Sequence, residues 1–176
     1  MHTYLAANHK RNVKQHDTTD FKALLGQWER RVLLANNAFS NGQWLSTIAL
    51  YNQAIAHANQ LIAISPYRKE ATFSLLVSFH NLSDTYLQYA SEAPPEERMA
   101  IYHMALATLS EVQTRIDTQA VLLPDNTDVL RARRIAHQQR WLLLKQHPEL
   151  EIALNNSPSI DNSFTVFAAT AGKDSH

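Results

Sequence analysis

With 176 residues, the chain is long enough for one ordinary hydrophobic core, and the absence of cysteine excludes disulfides, thiolate zinc sites and cysteine nucleophiles. Sixteen basic residues balance sixteen acidic ones, so global charge gives no drive toward nucleic acid or an anionic membrane. Only three glycines beside a 45% hydrophobic content favour an all-helical protein over a turn-rich sheet.

Residues 1–16 are weakly patterned, with Tyr4, Leu5 and Val13 as apolar anchors, and read as an N-terminal arm or a short sixth helix. They hold no apolar core of signal-peptide length. No run anywhere reaches the ~18–20 apolar residues of a membrane span, so a cytoplasmic protein with no membrane partner is expected. Asp17-Thr18-Thr19-Asp20 offers N-cap chemistry, and Phe21, Leu24, Leu25, Trp28, Val32, Ala35 and Phe39 recur at helical spacing. The first main helix is therefore predicted over 19–41. Asn41-Gly42 can supply the left-handed residue that closes it.

A second helix over 44–64 places Trp44, Ile48, Tyr51, Ile55, Ala58 and Ile62 on one stripe, and Pro66 cannot continue it. A third, over 68–91, aligns Leu75, Leu76, Phe79, Leu82, Tyr86 and Ala90. Pro94-Pro95 separates it from a fourth over 95–122, with Met99, Tyr102, Leu106, Leu109, Val112 and Ile116 along one face. Leu123-Pro124-Asp125 stops that helix, and Asp125 or Asn126 can cap a fifth over 127–146. Its apolar residues, Leu130, Ile135, Ala136, Trp141, Leu142 and Leu143, are interleaved with four arginines. His147-Pro148 interrupts it, PELEIAL can add a turn or two, and residues 155–176 read as a disordered tail. The helical domain is thus expected over 17–154.

Hairpin, proline, hairpin, proline, single helix is a repeat signature. LANNAFSNGQWLSTIALYNQAI resembles a tetratricopeptide repeat: Leu34-Ala35 match the Leu-Gly pair, Gly42 the inter-helix glycine, Trp44 the aromatic after it, and Tyr51 and Ala54 the second-helix aromatic and small residue. Phe79, Leu82, Ser83 and Tyr86 repeat the first-helix spacing, and Ala100, Met104 and Ala107 the second-helix spacing. Arg31 and Ala38 depart from the aromatics of the pattern. The chain is also similar to short bacterial proteins of this repeat type whose function is uncharacterised. The resemblance implies an all-α stack of antiparallel hairpins, five main helices in all.

It also implies a groove lined by the first, third and fifth helices. Carried onto this sequence, the groove takes Val32, Leu33, Asn36, Phe39 and Ser40, then Val77, His80, Asn81, Asp84 and Leu87, then Arg133, Arg134, His137 and Arg140. Apolar groups mixed with amide and guanidinium donors suit a peptide or a partner helix. Some tetratricopeptide domains clamp a terminal carboxylate with lysines, asparagines and an arginine. Asn36, Asn81 and Arg134 match three of those positions, but Val32 and Leu130 stand where the lysines belong. The bland alternative is an Asn-rich solvated face, or a groove filled by residues 1–16.

The remaining chemistry is thin. His2, His9 and His16 lie too far apart along a helix for one metal ion, and there is no HExxH. His80, Ser83 and Asp84 sit one turn apart, with no serine on a sharp turn to make a nucleophile. AGKDS lacks the earlier glycine of a phosphate loop. No enzyme, cofactor or metal site is expected. RARRIAHQQR, 131–140, is the strongest charge asymmetry. It reads either as a capping helix whose arginines pair with acids of the fourth helix, or as the surface of a nucleic-acid-associated regulator. Self-association through an exposed helix face, giving a homodimer, stays open.

Overall fold

The computed structural model describes the backbone of residues 2–151 and the side chains of residues 19–151. The chain is all-α: α1 His2–Ser40, α2 Trp44–Ile64, α3 Lys69–Glu92, α4 Pro95–Leu122 and α5 Thr127–Gln146, with no strand among the described residues. A single helical turn at 149–151 follows α5. Four of the five predicted helices begin and end within a residue of their expected limits. The first is longer, because residues 2–16 continue α1 instead of forming an arm or an element of their own. The expectation for residues 155–176 lies outside the described residues, as do those for the side chains of His2, His9 and His16.

Each loop has a local cause. Gly42 takes φ 66°, the left-handed conformation that ends α1, and its N–H donates to Phe39 O at 3.0 Å. Pro95 opens α4 at a position where a missing N–H costs nothing. Asn126 caps α5 by accepting from Asp128 N at 3.0 Å and Val129 N at 3.1 Å.

Consecutive helices pack as antiparallel neighbours, and alternate helices α1, α3 and α5 also touch in turn. Alanine at the crossings is what lets them approach: Ala35, Ala54, Ala58, Ala71, Ala90, Ala105, Ala132 and Ala136 are all fully buried. Larger side chains fill the space between, with Leu75, Leu106, Val112 and Ile116 in the main core and Phe21, Leu24 and Leu61 around Ala71 in a smaller cluster. Burial of each such aliphatic chain contributes about 1.5–3 kcal/mol. Leu150 of the final turn is also fully buried, so it closes the core at that end.

Several residues sit differently from their sequence expectation. Leu34, aligned with a packing leucine, is 48% exposed, while Ala38, aligned with an aromatic, is buried. Ala38 thus faces inward where the repeat pattern has a ring. Met99 and Trp141 likewise stay in solvent, and α5 is held by Val129, Ala132, Ala136 and Leu143.

Candidate functional site

Since α2 runs antiparallel to both of its neighbours, α1 and α3 lie parallel. Two contacts and one shared recess fix their register. The Arg68 guanidinium lies 4.4 Å above the Phe21 ring, Trp28 Nε1 donates to Ser78 Oγ at 2.8 Å, and Asn36 to Ser40 come level with Asn81 and Asp84. The Trp28 contact is anchored in turn, because the Ser78 hydroxyl donates to Ser74 O at 2.7 Å.

The result is a recess of about 290 Å³ lined by Asn36, Phe39, Ser40, Tyr51, Asn81 and Asp84. Tyr51 rises from α2 to form its floor. The ring is buried, while the hydroxyl donates to Asn36 Oδ1 at 2.5 Å. Burial pushes the Tyr51 phenol up, a hydrogen bond with the Asn81 side chain opposes this, and the Asp84 charge adds to it. Phe39 is held in place edge-on to Trp44, centroids 5.4 Å apart, and Trp44 Nε1 donates to Glu92 Oε2 at 2.9 Å. Asp84 is the one charged group of the lining. Its side chain reaches solvent, yet the surrounding helices shield the carboxyl enough for burial to raise it.

Asn36, Phe39, Asn81 and Asp84 are thus brought together with Ser40, as the groove expectation has them. Val32 and Leu87 are different: both are partly buried and pack against the main core. Val77 is 37% exposed. His80 is not joined to Asp84 by a hydrogen bond; its Nε2 is buried with no partner, and burial lowers the imidazole to about 4. A neutral ring at ordinary pH follows.

The α5 residues form a second recess of about 440 Å³, lined by Leu130, Arg133, Arg134 and His137. Here α4 intervenes. Asp117 Oδ1 accepts from Arg133 Nε at 2.6 Å and lies 3.0 Å from His137 Nε2. Desolvation pushes the Asp117 carboxyl up, but the hydrogen bonds and charges of His137 and Arg133 together outweigh it and hold the group below its usual range. Arg140 Nε donates to Ser110 Oγ at 3.1 Å. Arg131 and Arg134 have no ion pair among the described residues.

One contributor is absent from the sequence expectation: Tyr51 belongs to the packing stripe of its helix, and only its hydroxyl reaches the recess. The Arg133–Asp117 pair is of the kind expected for a capping helix whose arginines meet acids of the fourth helix, although the sequence does not single out Asp117. No group of three or more His, Asp or Glu placed to hold a metal occurs among the described residues, and no helix there is long and apolar enough to cross a membrane.

A family model described as "Protein of unknown function (DUF2753)" matches residues 26–157, which span the recesses just described. No curated protein and no solved structure matches the chain.

Proposed function

We infer that this chain, which belongs to the DUF2753 family of proteins of unknown function, is a non-catalytic cytoplasmic adaptor that holds a peptide or partner helix along α1, α3 and α5. The observation that carries the reading is the recess between α1 and α3. It is walled by amides, a phenyl ring and a carboxylate, and floored by a hydrogen-bonded tyrosine. Such a mixture recognises side chains and backbone without performing chemistry on them. The resemblance to tetratricopeptide repeats supports the same face, since those arrays use their alternate helices for binding. Asp117 neutralises part of the basic run on α5, which weighs against the rival reading of a nucleic-acid surface.

A photo-crosslinking amino acid placed at Ser40 tests the assignment, with the same group at exposed Met104 on α4 as the comparison. In cell extract, the Ser40 probe is expected to capture a discrete partner that Asn36→Ala with Asn81→Ala releases. Capture from Met104 alone would place the partner on the other face and refute the reading.

A further inference from the structure

We propose that the α1–α3 recess selects a cationic side chain, arginine or lysine, of an extended peptide, with Asp84 as its counter-ion. The inference rests on the groove reading above and adds the chemistry of what enters. The recess presents amide and hydroxyl groups and one negative charge, with no cation among its lining residues. Asp84 is unpartnered there: no hydrogen bond or ion pair to a described residue reaches its carboxylate. A charge kept this way, raised by the burial around it, is stabilised by any cation that reaches it.

The rest of the lining suits the same guest. The Phe39 ring, set by Trp44, offers an aromatic surface on which a guanidinium or an ammonium stem can lie. Tyr51 already donates its hydroxyl proton to Asn36 and is bonded to the Asn81 side chain, so it offers a guest no free donor. The volume of about 290 Å³ admits one long side chain but not a folded element. An acidic peptide would set its charge against Asp84, the one charged group of the lining. The carboxylate-clamp alternative is therefore disfavoured at this position, whatever Asn36 and Asn81 contribute to backbone contacts.

The test uses the full chain and fluorescent pools of acetylated, amidated octapeptides. Each pool fixes one position as Arg, Lys, Gln, Glu or Leu, with the other positions random. Anisotropy reads binding at low and at moderate salt. Arg and Lys pools are expected to bind on the order of tenfold or more tighter than the Gln pool, with the margin shrinking as salt rises. Asp84→Asn should erase that preference, and Asp84→Lys should transfer it to the Glu pool. Binding without Arg or Lys preference, or a preference that survives Asp84→Asn, overturns the inference and leaves the groove reading standing. No binding by any pool overturns both.

Discussion

The hydroxyl of Tyr51 donates to Oδ1 of Asn36 over 2.5 Å, so a side chain from α2 fixes the position of an amide on α1 at the floor of the recess. The ring beneath it is buried, and the tip alone is polar. One residue thereby joins the core of the first hairpin to the site. Tyr51→Phe keeps the ring packing and removes the bond, and is expected to cost about 0.5–1.5 kcal/mol in urea denaturation. Peptide binding should weaken further, since Asn36 loses its orientation. Equal losses in Tyr51→Phe and in a remote variant of the same stability would show that Tyr51 acts on stability alone.

Trp28 and Ser78 join α1 to α3 across the smaller cluster, and the coupling between them is measurable. Trp28→Phe, Ser78→Ala and the double variant form a cycle whose interaction energy is expected at roughly 0.5–1.5 kcal/mol. A value near zero would mean that the 2.8 Å bond does not set the register of the two helices.

Most of the architecture is legible in the sequence because its punctuation is chemical. Pro66, Pro124 and Gly42 each forbid or permit one backbone conformation, and the loops fall there. The start of α1 is not legible. Asp17-Thr18-Thr19-Asp20 has the composition of a cap, but residues with that composition also occur inside helices, and here α1 runs through them. Buried hydroxyls are a second blind spot. Thr47, Ser78, Thr85 and Thr108 each donate to the carbonyl four residues earlier, which makes them compatible with a core that apolar periodicity alone cannot assign to them. Asn36, Phe39, Asn81 and Asp84 could be placed from repeat spacing, whereas Tyr51 and Asp117 depend on contacts between helices that spacing along one helix does not encode.

Gly42 closes α1 with φ 66°, and a Cβ there would meet Trp44 at 3.8 Å, an ordinary contact. Space is therefore not the constraint; conformation is. Gly42→Ala is expected to cost about 1–2 kcal/mol by thermal or urea denaturation, and Gly42→Asn less, since asparagine tolerates the left-handed region better. Equal stability of all three would remove the left-handed turn as the reason for glycine.

Acid should loosen the fold through His80. Its folded value of about 4 lies below the ordinary 6.5, so between those values the unfolded chain takes up a proton that the folded chain refuses. Its contribution is intact above pH 6.5 and declines as pH falls toward 4, by on the order of 3 kcal/mol in total. His57, lowered by burial and by Arg31 and Arg30, acts in the same direction, while the raised Asp84 carboxyl opposes it in the carboxylate range. His80→Leu should flatten the slope of stability between pH 6.5 and 4 relative to the parent chain. An unchanged slope would assign the acid sensitivity elsewhere.

Asp117 decides how basic α5 appears from outside. Its carboxylate engages Arg133 at 2.6 Å and His137 at 3.0 Å, whereas Arg131, Arg134 and Arg140 of α5 have no ion pair among the described residues, Arg140 bonding instead to Ser110 Oγ. Asp117→Ala should alter stability little, about 0–1 kcal/mol, because these are solvent-exposed pairs. Its electrostatic consequence is larger: one negative charge vanishes and Arg133 is released beside Arg134 in the α5 recess. Retention on heparin should therefore shift to higher salt in Asp117→Ala and return to the parent value when Arg133→Gln is added. Parent and variant eluting together would mean that the basic run does not act as a unit. A parent chain already retained at moderate salt through Arg131 and Arg134 would instead revive the nucleic-acid reading.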